Sequence, residues 1–219
     1  MTAIDVRWFN RCRAAGLVKG RMLEVGSAKV DGNRNLCEIA RESGVADTIG
    51  VDLARAEGVD SVVDFALPLE DFRRQWRLGN FSTVCVFNVL EHVFDPIRVL
   101  ANAITCAEPN GIVLTVTPSV WPIHNYPGDY TRLLPDWYRA FARCNAVTLI
   151  DDHFCWLSQF GIEVIGDELE PTLPTYRSRG VKASRTRYWT SRLVHKVLNT
   201  YGHLHWATSS AIAAAFHVG

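Results

Sequence analysis

A chain of 219 residues, 48% hydrophobic and 21% charged, is long enough to fill one α/β core and too apolar to stay disordered. Its 23 Lys and Arg offset 23 Asp and Glu, and this zero balance argues against a general nucleic-acid binder, which carries a basic surplus. No apolar run reaches the length of a bilayer-spanning helix, and Asp5, Arg7, Arg11 and Arg13 break up the N-terminal stretch, which argues against a secretory leader.

Residues 1–19 are expected as a helical extension, with Trp8, Phe9 and Cys12 on one side of a helix over 4–16. Strands and helices then alternate. Met22–Val25, 48–51 and 61–63 read as strands, and 33–43 and 70–77 as helices. Thr83–Phe87 is the fully apolar strand that a parallel sheet buried on both faces requires. Asp95-Pro96 can cap and open the next helix, and Pro109-Asn110-Gly111 turns the chain into a strand over 112–116. The expected fold is a Rossmann-like, doubly wound α/β sheet of about seven strands, mostly parallel with a reversed last strand, helices on both faces.

After Pro118 the pattern changes. Residues 119–134 are rich in aromatics, Pro and Gly and read as a long functional loop. Helices are expected over 135–143 and 152–160, a strand over 162–165 and a last strand over 209–218. Between these strands, 170–206 reads as a basic helical insertion. Residues 171–219 hold seven Lys or Arg and no Asp or Glu. Tyr188, Leu193, Val197, Leu198 and Tyr201 can share one helical face, which must pack on the domain or on a second copy of the chain as a homodimer. The six cysteines form no C-x-x-C pair and sit mostly in apolar stretches, so they are expected as reduced core residues of a cytoplasmic protein.

Polar groups close three successive strands. Gly26 follows the first, where a glycine lets a ligand approach the backbone. Asp52 ends the second, where a carboxylate can accept from a ribose diol. Asp64, with Phe65 beside it, ends the third, where a carboxylate can accept from an adenine amino group. Strand ends of this kind form the ligand crevice. The dinucleotide fingerprint would need glycines at positions 26, 28 and 31; the chain has Gly26, Ala28 and Asp31, which disfavours a nicotinamide cofactor.

Glu24-Val25-Gly26-Ser27, Gly50-Val51-Asp52, Asp64-Phe65-Ala66-Leu67-Pro68, Asn88-Val89-Leu90-Glu91-His92-Val93 and Pro109-Asn110-Gly111 appear in that order. Over residues 20–168 the chain thereby resembles the class I S-adenosylmethionine-dependent methyltransferases of the type 11-like group. The resemblance implies S-adenosyl-L-methionine as cofactor, held by Glu24, Gly26, Ser27, Asp52, Leu53, Asp64, Phe65 and Asn88. Gly26 would lie against the methionine moiety and Asn88 would border its methyl end. The segment 162–165 and the last strand would form the family's reversed terminal hairpin.

On the acceptor side, His124 to Arg132 resembles the His-x-x-Pro-x-Asp-Tyr-x-Arg loop of a subset of these enzymes, which closes over the acceptor. A histidine can take a hydroxyl proton near neutral pH, so His124 and His92 are the expected catalytic residues. Trp121, Tyr126, Tyr130 and Arg132 are expected to face the substrate, and Tyr138 could wall the same pocket. Asp129 and Arg132 could instead pair to hold the loop. Some relatives, the small-RNA 2′-O-methyltransferases and the ubiquinone-pathway O-methyltransferases, hold magnesium with Glu-x-x-Glu-His. Here the first position is Asn88, a neutral and weaker oxygen ligand, so no metal is expected. The expected reaction is O-methylation of a small-molecule or saccharide hydroxyl. RNA methylation using the basic segment, and a non-catalytic binding protein that retains the fold, are the alternatives.

Overall fold

The computed structural model describes residues 1–29, 34–124, 128–158, 161–166 and 210–219. Nine described strands form one sheet in the order β3-β2-β1-β4-β5-β9-β7-β8, with β6 also paired to β9. The strands are β1 (Met22–Val25), β2 (Thr48–Asp52), β3 (Ser61–Val62), β4 (Phe81–Phe87), β5 (Ala107–Val120), β6 (Val147–Leu149), β7 (Cys155–Ser158), β8 (Gly161–Val164) and β9 (Ser210–Val218). The five-strand half from β3 to β5 is parallel throughout, and β9 runs antiparallel to β5. The doubly wound class is as expected, with nine strands instead of about seven.

The helices are α1 (Ala3–Ala14), α2 (Leu36–Glu42), α3 (Leu69–Gln75), α4 (Pro96–Thr105) and α5 (Pro135–Cys144). Their starts follow local chemistry. Thr2 and Asp5 form a reciprocal capping box on α1. Asp95 accepts from the Arg98 amide at 3.1 Å while Pro96 occupies the first turn of α4. Alternation along the strands divides the core in two. Leu23, Val25, Val84, Val86, Val113, Ile212 and Phe216 face the side covered by α3, α4 and α5. Met22, Cys85, Phe87, Ile112, Leu114 and Ala213 face the side where Trp8, Phe9 and Cys12 of α1 meet Leu36 and Ile39 of α2. Five of the six cysteines are buried and all are free. Among the described residues no helix is long and apolar enough to cross a membrane.

Two expectations are corrected. The described part of the expected helix over 152–160, residues 152–158, is not helical: a short 3-10 turn at Asp151–His153 leads into β7, where buried Cys155 and Leu157 alternate with half-buried neighbours. The period of two wins because β6 and β7 are one interrupted strand along β9, pairing with Phe216–Val218 and then Ser210–Ala213. The terminal hairpin between 162–165 and the last strand is also absent. β7 lies between them, and β8 pairs with β7. The expected 170–206 insertion and its helix lie outside the described residues, as does Tyr126.

Candidate functional site

The carboxyl ends of β1, β2, β4 and β5 open onto one cavity of about 910 Å³. Gly26, Asp52, Leu53, Asp64, Phe65 and Asn88 line one part of it, and His92, His124 and Trp121 another. Gly26 sits at φ 81°, and a Cβ there would lie 2.3 Å from the Val89 Cγ2. Glycine is therefore demanded by backbone and by space. Its amide donates to the Val51 carbonyl at 2.8 Å, which turns the chain out of β1 and leaves bare backbone at the cavity.

Asp52 accepts from the Ala28 amide at 3.0 Å and the Leu53 amide at 2.7 Å, so its carboxylate is fixed across the mouth of β1. Asp64 accepts from Ala66 at 2.7 Å through Oδ1. Phe65 is buried against Phe72, with centroids 4.9 Å apart, and still reaches the cavity wall. Asn88 holds φ 54° and donates from Nδ2 to Asp5 at 3.2 Å.

Several expected residues do other work. Glu24 touches the cavity, but its carboxylate accepts from the Leu36 and Cys37 amides at 3.0 and 2.8 Å and caps α2. Burial pushes its pKa up to about 7, against the pull of those amides. Ser27 is fully buried beneath the turn and is not part of the cavity wall. Tyr130 is 59% exposed and packs edge-on against Phe94, away from the cavity. Arg132 is spent on a bidentate pair with Asp129, Nη2 to Oδ2 at 2.6 Å, and on the Thr131 carbonyl. That guanidinium holds the Asp129 carboxyl well below the usual carboxylate range. Tyr138 is buried in the core, stacked on Phe216.

The histidines converge. His92 and His124 meet edge to face, with ring centroids 4.9 Å apart. Nδ1 of His92 faces the Gly128 carbonyl. Nδ1 of His124 faces the Pro122 carbonyl at 3.2 Å and the Asp129 carboxylate at 3.4 Å. A carbonyl only accepts, so each Nδ1 carries a proton, and in the neutral ring the lone pair is then on Nε2. Beneath them Glu91 is wholly buried, and burial pushes its pKa up to about 8. Neither carboxyl oxygen has a hydrogen-bond partner, and His92 Nε2 lies 3.6 Å from Oε1.

The N-terminal helix is more than an extension. Thr2, Ile4, Asp5 and Arg7 line the cavity, as do Leu157, Ser158 and Ala211 from the antiparallel edge. Asp5 had a visible signal only as a helix cap, and nothing local marks Leu157, Ser158 and Ala211 as cavity walls.

A family model described as a methyltransferase domain matches residues 5–169. No curated protein matches the chain. Among solved structures, the fold is similar to an S-adenosylmethionine-dependent methyltransferase from Archaeoglobus fulgidus, with a TM-score of 0.51 and 15% identity over 98% of this chain and 94% of that one. A second, from Clostridium acetobutylicum, gives 0.56 and 8% over 99% and 90%. The magnesium protoporphyrin IX methyltransferase of Synechocystis, solved with bound SAH, gives 0.51 and 11% over 99% and 82%.

Proposed function

Because the chain belongs to the methyltransferase-domain family, we propose that it transfers a methyl group from S-adenosylmethionine to a hydroxyl of a small molecule or saccharide in the cytoplasm. The observation that carries this reading is the row of strand-end groups around one cavity, with two histidine rings in the same space. The residues fit the cofactor. Gly26 offers backbone where any side chain would collide with Val89. Asp52 offers a carboxylate held in place for the ribose hydroxyls, with Leu53 alongside. Asp64 and Phe65 offer an acceptor and a ring for adenine, and Asn88 borders the methyl end.

The cofactor supplies a methyl group already activated on a sulfonium. What remains for this chain is to align the acceptor and accept its proton. His124 stands in the acceptor loop with its Nδ1 proton held by Pro122 and Asp129, which leaves Nε2 to receive a hydroxyl proton. His92 and Glu91 are the neighbours that complete this polar end, and Trp121 walls it. The free, mostly buried cysteines support a reducing compartment.

The test is calorimetric binding of S-adenosylmethionine, followed by a methyl-transfer screen over hydroxylated metabolites and sugars. His124→Ala is expected to lower turnover by roughly 10²–10⁴-fold with cofactor affinity retained. Full activity in that variant would move the proton-accepting role elsewhere.

A further inference from the structure

Glu91 poses a problem that the methyl-transfer reading leaves open. Its side chain is wholly buried at the cavity wall, and neither carboxyl oxygen has a hydrogen-bond partner. Such a group is costly, because its lost hydration is not replaced. Nε2 of His92, at 3.6 Å, lies beyond good hydrogen-bond reach.

Most other charged groups along the cavity have protein partners. Lys29 pairs with Glu38 and Glu57, and Arg34 with Glu42. The carboxylates of Glu24, Asp52 and Asp64 accept from backbone amides. Glu91 has instead a second acid near it. Asp5 of α1 is buried, lines the same cavity, and its charge opposes ionisation of Glu91. The Asp5 carboxylate accepts from the Thr2 amide at 2.6 Å and from Asn88 Nδ2 at 3.2 Å, both on Oδ2. Among the described residues no lysine or arginine forms an ion pair with either acid. Glu91 also belongs to the acceptor end of the cavity. Its backbone carbonyl accepts from the Tyr130 amide at 2.8 Å, and a carboxyl oxygen lies within 4.8 Å of a His124 ring nitrogen.

We propose that Glu91, assisted by Asp5, binds an ammonium group of the acceptor, which makes the substrate an amino alcohol or an amino sugar. An ammonium has three donors and no acceptor, which matches two carboxyl oxygens that lack donors. Burial above all, and then the charges of Asp129 and Asp5, push the Glu91 pKa up to about 8. A cation alongside draws the group back to its charged form, and charge-assisted hydrogen bonds then replace the lost hydration. The spacing limits the substrate further. A hydroxyl on His124 and an ammonium on Glu91, each at a hydrogen-bond length of about 2.8 Å, fall about 3–5 Å apart. Amine and hydroxyl therefore sit on neighbouring carbons or one carbon further apart. His124 keeps its Nε2 for the hydroxyl proton. The binding stands on the cavity's own charges; its use in presenting a hydroxyl for methylation rests on the methyl-transfer reading above.

The experiment uses the full chain, with and without S-adenosylhomocysteine, so that binding is read without turnover. Calorimetry at neutral pH compares matched pairs that differ only in an ammonium for a hydroxyl: ethanolamine against ethylene glycol, glucosamine against glucose, and galactosamine against galactose. At least one amino compound should bind about 10–100-fold more tightly than its partner, the scale of a hydrogen bond to a charged group. Glu91→Gln keeps the shape, removes the charge and should abolish that preference. Asp5→Asn should reduce it by a smaller factor, and it keeps the test valid if Glu91→Gln fails to fold. Equal binding within every pair, or a preference that survives both variants, would overturn the proposal. S-adenosylmethionine binding is measured separately. Cofactor binding without an ammonium preference overturns this site alone, whereas an ammonium preference without cofactor binding upholds the site and overturns the methyl-transfer reading.

Discussion

Asp52 carries two tasks with one carboxylate. It ties the turn after β1 by accepting the Ala28 amide, and it stands where a ribose diol can donate to it. A residue that both shapes and contacts a pocket loses both on truncation. Asp52→Ala should therefore weaken S-adenosylmethionine binding by about 1.5–3 kcal/mol, the scale of hydrogen bonds to a charged group. Calorimetry on the variant checks this, and unchanged affinity removes Asp52 from the cofactor site. Arg132 makes the opposite case. Its charge is legible in the sequence, but its partner is Asp129, three residues away, so the fork never reaches the cavity.

At the scale of elements, Glu24 is the joint between β1 and α2. Helix N-termini leave amides without intrahelical partners, and here a carboxylate from the neighbouring strand takes two of them. The pKa of this group is about 7 in the native state against 4.5 ordinarily. Below the lower value both native and unfolded chains hold the proton. Between the two values the native chain keeps a proton that the unfolded chain has released, so this group's contribution to stability falls as pH rises, by up to ~1.4 kcal/mol per pH unit. Above the upper value the contribution is flat. Glu24→Gln removes the slope and replaces an acceptor with an amide donor facing helix N–H groups. The variant should be less stable by about 1–3 kcal/mol at acid pH, and its deficit should shrink from about pH 5 to about pH 7. Urea unfolding across that range is the measurement; a deficit that stays constant would show that Glu24 titrates normally.

At the scale of the molecule, the groups assigned to the cofactor lie between Gly26 and Asn88, on the parallel half of the sheet. Replacing 175–205 with a short Gly-Ser bridge should accordingly change cofactor affinity by less than about 0.5 kcal/mol while lowering methyl transfer. Full transfer activity would make that basic segment peripheral. A shift from dimer to monomer on sizing would assign it to self-association.

Local chemistry was enough for the parallel half. Apolar runs, strand-end carboxylates and the Asp95-Pro96 cap act over a few residues, so β1, β2, β4 and α4 and the cavity positions Gly26, Asp52 and Asp64 could be read directly from their neighbours in the chain, while Asn88 was implied only by the family resemblance. What required the tertiary structure was every feature with a distant partner. Residues 152–160 carry enough apolar side chains for a helix, and only pairing with β9 and β8 commits 155–158 to a strand. Trp8 and Asp5 become core and cavity wall because α1 folds back over the carboxyl ends of the strands. Glu91 and His92 are adjacent in sequence, but the closing of the loop that brings His124 to them is a long-range event. Hydrophobic periodicity and capping are short-range forces; strand pairing and convergence of polar groups depend on which distant surface arrives, and that is decided only when the sheet is assembled.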